Sequence, residues 1–150
     1  MIGNSCYFFE KTMLTWENAK IGCRNKFTVG GKLFEPQSLA ENKMVWEKAK
    51  SIMFSGPGFW IGVTDKAREG SYTYDSNGSG IPFSIPWRNI SGPYAFDQLG
   101  NTITGNDCVG ISYTGKWFDW MCSATSSHNS ESSSICEANV KINEISKTNI

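Results

Sequence analysis

Cysteine is the most chemically telling residue type in this chain of 150 residues, which holds five: Cys6, Cys23, Cys108, Cys122 and Cys136. In a small chain with 15 glycines and six tryptophans, paired cysteines read as disulfides formed in an oxidising compartment. Thiolate metal binding has less support, because no C-x-x-C pair occurs. The single histidine, His128, lies in a Ser- and Asn-rich stretch without ligand spacing. It has no recognisable serine or cysteine partner for a triad, and no glycine-rich loop is arranged to cradle phosphate. The carboxylates are scattered and mark no glycosidase pair. Catalysis is therefore not expected. An odd cysteine count leaves one thiol over. Asn77-Gly78-Ser79 and Asn89-Ile90-Ser91 are sequons compatible with secretion.

The elements that must carry these residues are bounded by length and charge. One domain is expected, long enough to bury a single core. Lys and Arg total 14, as do Asp and Glu, so formal charge is zero. No basic stripe attracts nucleic acid or an anionic membrane. No apolar run approaches the roughly 18 to 20 residues that span a bilayer. Met1-Ile2-Gly3-Asn4 leads straight into Cys6 with no apolar leader, as in a mature or trimmed form; the cysteines weigh against a cytosolic one.

Ser5 to Phe9 is aromatic and reads as a strand. Thr15 can cap a helix in which Trp16, Ala19 and Cys23 share a buried face. Ser38-Leu39-Ala40-Glu41 is a capping box opening a second helix, with Leu39, Val45, Trp46, Ala49 and Ile52 or Met53 as its apolar stripe. Ser55-Gly56-Pro57-Gly58 stops it. Phe59 to Val63, Gly70 to Tyr74, Cys108 to Tyr113 and Ser133 to Cys136 read as strands. Between Asn77 and Gly105 lies a long Gly-, Pro- and Ser-rich stretch of the kind that serves binding. Two helices followed by short strands predict an α+β fold with both helices on one side of an antiparallel sheet.

In this order the pieces resemble the C-type lectin-like domain, from about Ser5 to Glu137. The resemblance rests on Ser5-Cys6-Tyr7-Phe8-Phe9, Trp16-Glu17-Asn18-Ala19 before Cys23, and Trp60-Ile61-Gly62-Val63. It rests also on Glu69-Gly70, Trp117-Phe118-Asp119-Trp120-Met121-Cys122 and Ile135-Cys136-Glu137. It implies a lectin-like domain over residues 1–138, a polar tail over 139–150, and an extracellular location. It implies the disulfides Cys23–Cys136 and Cys108–Cys122. Cys6 matches the second cysteine of the family's N-terminal hairpin, whose partner would lie upstream.

Sugar-binding members hold a calcium through E-P-N or Q-P-D, an acid before a later cysteine, and W-N-D. Here E-P-N has become Gly92-Pro93-Tyr94 and W-N-D has become Trp117-Phe118-Asp119, leaving Asn106 and Asp119 as side-chain oxygens at matching positions. Calcium needs six to eight oxygens, so no standard sugar-bridging calcium is expected. Asp97 or Asn101 could refill the site from a rearranged loop. The family's auxiliary calcium site keeps more of its acids, in Asp65, Glu69 and Asp107; Ala95 stands where a fourth is expected. The alternative role for Asp65 and Glu69 is to cap turns. The cofactor expectation is none, or one structural calcium.

The resemblance buries Trp16, Trp46, Trp60 and Trp117, and makes Trp87 a loop anchor. Tyr94, Phe96 and Trp120 would be partly exposed, where rings stack on sugars or form protein hot spots. The implied function is recognition of a glycan or protein through the long loop, without nucleic acid or membrane insertion. The alternative is a calcium-dependent lectin using Asp97, Asn106 and Asp119. An ice- or mineral-adsorbing surface would need a repeated Thr or acidic array, which is absent.

Overall fold

The computed structural model describes residues 5–27, 30–52, 58–88, 107–122 and 131–139. In chain order the elements are β1 (Ser5–Leu14), α1 (Trp16–Lys26), β2 (Lys32–Leu33), α2 (Leu39–Ile52), β3 (Gly58–Thr64), β4 (Thr73–Tyr74), β5 (Cys108–Ser112), β6 (Trp117–Trp120) and β7 (Ser132–Asn139). The sheet runs β1-β7-β3-β5-β6, with β2 beside β7 and β4 beside β3. Among these strands the pairings are antiparallel except β3 with β7, where Phe59 and Trp60 run parallel to Ser133 and Ser134. The strand at the N-terminus reaches Leu14, beyond the expected Phe9, through an irregular register between Glu10 and Leu14. Polar Glu10-Lys11-Thr12 hid that extension by breaking the apolar alternation.

Both helices start as their sequences dictate. Thr15 Oγ1 accepts from Asn18 N at 3.3 Å and caps α1, whose buried residues are Trp16, Ala19 and Cys23. At α2, Glu41 N donates to Ser38 Oγ at 3.0 Å, and the Glu41 carboxylate reaches back to Gln37 N at 2.7 Å. The capping box thus closes one residue further upstream than its simplest form. The expected stripe of α2 needs correction: Leu39 and Ile52 are exposed, Trp46 is half-buried, and Met53 lies outside the described residues. The buried face is Asn42, Val45 and Ala49. Asn42 belongs there because its Oδ1 accepts from the fully buried Trp117 indole at 3.0 Å.

The helices lie on opposite faces of the sheet, not on one. Side chains alternate along a strand, and β3 divides accordingly. Phe59, Ile61 and Val63 pack with Val45 and Ala49 of α2. Trp60 packs with Trp16, Ala19 and Cys23 of α1. Alternation also sends Trp117 to the first cluster and Phe118 to the second. All seven residues of β3 are buried, which is why that strand reads as a continuous apolar run. The central strand also explains a glycine. A Cβ at Gly62 would stand 2.8 Å from the Leu33 carbonyl oxygen and 2.9 Å from Glu35 Cγ. Gly62→Ala should cost about 1–3 kcal/mol in denaturant unfolding; a loss below measurement error would mean the strands separate freely there.

The two expected disulfides are formed, Cys23–Cys136 and Cys108–Cys122, each with Cα atoms 5.2 Å apart. The first ties α1 to β7; the second ties the start of β5 to the residues after β6. Cys6, in β1, takes part in neither.

Candidate functional site

The acids at Asp65, Glu69 and Asp107 are brought together by the pairing of β3 with β5. Thr64 pairs with Cys108, so the next residues outward, Asp65 and Asp107, leave the sheet side by side. Asp65 N donates to the Asp107 carbonyl at 3.0 Å. A tight turn then carries the chain from Asp65 back to Glu69: Arg68 N donates to the Asp65 carbonyl, and Gly70, at φ +80, donates its amide to Asp65 Oδ2 at 2.8 Å. Glycine suits that left-handed position because it has no Cβ to clash. One carboxylate oxygen from each acid lies within 4.8 Å of the others.

The two oxygens of Asp65 have different fates. Oδ2 caps the turn, as the turn-capping reading expected. Oδ1 is buried and no N–H or O–H of the described residues reaches it, although the residue is only 1% exposed. A buried carboxylate oxygen without a donor is costly unless a cation or proton supplies the missing charge. Burial first, and then the charges of Glu69 and Asp107, push the Asp65 carboxyl up to about 6, against the pull of the Gly70 amide. Glu69, exposed at the rim, is raised by desolvation and then by Asp107 and Asp119. Mutual repulsion of this kind is what a bound cation relieves. Three converging carboxylates, each offering one oxygen, are hard donors of the kind calcium takes, and backbone carbonyls or water would have to complete its six to eight.

Asp119 joins the same neighbourhood. It is 1% exposed and its Oδ2 accepts from the Tyr72 hydroxyl at 3.4 Å. Burial first, then Asp119, Asp65 and Glu69, raise the Tyr72 hydroxyl well above its ordinary range, keeping it a neutral donor. The Tyr72 ring stands edge-on to Trp87 at 4.7 Å, and Trp87 in turn meets Trp117 at 6.5 Å. Trp87 is thereby packed against the core beside residue 88, where the described first part of the long segment ends. Tyr72 was not anticipated, although its alternation with Tyr74 put both on one strand face. Phe118, the residue replacing the family's asparagine, is 5% exposed and packs on Trp60 at 5.9 Å. Trp120 is 37% exposed. Tyr94, Phe96, Asp97 and Asn106 lie outside the described residues, as do Pro93, Asn101 and His128.

A second buried acidic group behaves differently. Glu35 and Glu137 are 2% and 4% exposed. Glu35 accepts from Lys32 Nζ at 3.0 Å, Ser76 Oγ at 2.7 Å and Ser76 N at 2.8 Å, and its own N–H donates to Glu137 Oε1 at 2.8 Å. These oxygens are partnered by protein, so the group is structural. Burial first, and then Glu41 and Glu35, raise Glu137 from the usual 4.5 to about 7, opposed by the Glu35 amide and Lys32. Between those values the native chain holds more protons than the unfolded one, so stability falls as pH rises and levels off above about 7. Glu137→Gln should flatten that slope and gain on the order of 2 kcal/mol at pH 8. An unchanged slope in denaturant unfolding across this pH range would refute the assignment.

With this geometry in place, the comparisons with known proteins are decisive for family. The family described as "Lectin C-type domain" matches residues 12–138. The chain belongs to it. A tetranectin-like protein of Carcharhinus perezii is 30% identical over 136 residues, covering 91% of this chain and 72% of that one. A perlucin-like protein of Mytilus galloprovincialis is 28% identical over 118 residues, covering 79% and 69%. In two further relatives the match covers 54% and 49% of their lengths. The mouse scavenger receptor C-type lectin carbohydrate-recognition domain has the same fold, with a TM-score of 0.72 at 24% identity over 94% of this chain and 95% of that one. C-type lectin domains are recognition modules for glycans or proteins and their fold is non-enzymatic. Among the described residues no helix is long and apolar enough to cross a membrane.

Proposed function

We propose that this C-type lectin domain is an extracellular recognition module that holds one structural calcium and binds its glycan or protein ligand without a sugar-bridging calcium. The observation that carries the reading is the convergence of three carboxylates within 4.8 Å around a buried Asp65 oxygen that no donor among the described residues reaches. Asp65, Glu69 and Asp107 would hold the ion. Bound there, calcium neutralises the cluster and links the 65–70 turn to the start of β5. Loss of the bridging site is supported by Phe118, whose buried ring offers no oxygen where the family pattern has asparagine, and by the absence of an acid beside Pro93.

Ligand contact falls to Tyr94, Phe96 and Trp120, with Asp97, Asn106 and Asp119 as polar neighbours. We assign the lectin-like unit to residues 1–138 and a tail to 139–150, although the first tail residue, Asn139, still pairs with Ser5 at the end of β7. The disulfides support an oxidising, extracellular setting.

A glycan array probed once with calcium and once with chelator tests this, at a temperature where the domain stays folded in both. Binding that survives chelation, or no glycan binding beside capture of a protein partner, is expected. Sugar binding that vanishes with chelator and with Asp119→Asn, while the fold persists, would install the calcium-dependent lectin instead.

A further inference from the structure

A cleft of about 270 Å³ opens between α1, the bend leading into β2, and the turn after β4. Lys20, Arg24, Gly31, Lys32, Asp75 and Ser76 line it. Its cations come from two segments, Lys20 and Arg24 of α1 and Lys32 of β2, and the turn after β4 adds Asp75 and Ser76. The floor is tight: a Cβ on Gly31 would stand 2.2 Å from the Cys23 carbonyl oxygen.

Two of the three cations are held in place. Lys20 Nζ contacts the Asp75 oxygens at 3.1 and 3.0 Å and lies 5.6 Å from the Trp16 ring centroid. Lys32 Nζ donates to Glu35 Oε1 at 3.0 Å. Arg24 is exposed and makes no ion pair among the described residues. Asp75 at the rim pairs with Lys20 and the buried Glu35 beneath pairs with Lys32, which leaves Arg24 as the lining cation outside these pairs.

That arrangement suits a single negative charge. The anchored ammoniums lose little further freedom when an anion arrives. Arg24 adds a planar fork that matches two oxygens of a carboxylate or sulfate. A dianion would leave the cleft with excess negative charge. We propose that this cleft binds a singly charged sulfate ester or carboxylate group, independently of calcium. It uses none of Asp65, Glu69 or Asp107, so it stands or falls apart from the calcium reading.

Calorimetric titration at low ionic strength, in chelator, tests the proposal with two singly charged probes: an otherwise neutral disaccharide bearing one sulfate ester, and an unsulfated disaccharide bearing one uronate carboxylate. Arg24→Gln should weaken binding about fivefold, and Asp75→Asn should tighten it by about as much, the effect of one charge at hydrogen-bonding range. Lys48→Gln, the same charge change at an exposed position on α2, should leave affinity unaltered. The opposite signs at Arg24 and Asp75 cannot both come from misfolding, and thermal melts check each variant. Binding of either probe with this pattern supports the cleft, and which probe binds names the group. No binding of either probe, equal weakening by Arg24→Gln and Lys48→Gln, or affinity that requires calcium would overturn it.

Discussion

Replacing Cys23 and Cys136 together with alanine should remove about 4–5 kcal/mol of stability, enough to leave much of the population unfolded. The bond joins residues 113 apart in sequence. In the chain-entropy account a cross-link stabilises by restricting the unfolded chain, and a loop of about 100 residues is worth near 4.7 kcal/mol. A domain of this size holds roughly 5–15 kcal/mol in total. Both sulfur-bearing residues also sit inside the α1-side core, at 0% and 1% exposure. The Cys108–Cys122 bond spans only 14 residues, so its double alanine variant should lose about 3 kcal/mol. Denaturant unfolding of both variants checks the ranking. A larger loss at Cys108 and Cys122 would show that the bond beside the acidic cluster, not the one joining α1 to β7, secures the fold.

Asp65→Asn should reverse its effect with the solvent. In chelator above pH 7 the variant should be more stable than the parent by about 1–2 kcal/mol, because the parent holds a buried charge beside two others. The sign follows from titration. Asp65 is raised from 3.8 to about 6, so the native state binds its proton more tightly than the unfolded chain. Stability therefore falls as pH climbs through that interval, and the full cost persists above it. Asparagine carries no such charge, and its carbonyl oxygen can still accept from Gly70. With calcium at about a hundred times its dissociation constant the parent gains about 2.7 kcal/mol, which the variant lacks, and the order inverts. Melts with and without calcium read both arms. A parent indifferent to calcium, or a variant weaker in chelator, would contradict the cluster's role.

Much of this was legible in the sequence, for definite reasons. Trp16, Ala19 and Cys23 declared their buried face through helical spacing, and Ser38 with Glu41 declared a helix start. The disulfides came with the family resemblance. Asp65 and Glu69 lie close enough in sequence for one turn to join them. Asp107 reaches them only because β3 pairs with β5 in the register Thr64 to Cys108, which no local pattern encodes. The placement of the helices failed because the buried runs of β3 and β5 are apolar on both faces, so neither face advertises its partner. Leu39 misled because apolarity alone cannot distinguish a buried leucine from an exposed one. Asn42 was missed because its burial answers a distant indole. The basic cleft was hidden because Asp75 and Ser76 reach Lys20, Arg24 and Lys32 only once the fold assembles them.

Calcium stoichiometry measures the central claim most directly. Calorimetric titration of the domain should give one ion per chain, with the heat abolished in Asp65→Asn and retained in Asp119→Asn at reduced affinity. Two ions per chain, or a single ion displaced by free sugar and insensitive to Asp65→Asn, would mean that the sugar-bridging site survives. No binding heat at all would mean that protons, not calcium, satisfy the cluster.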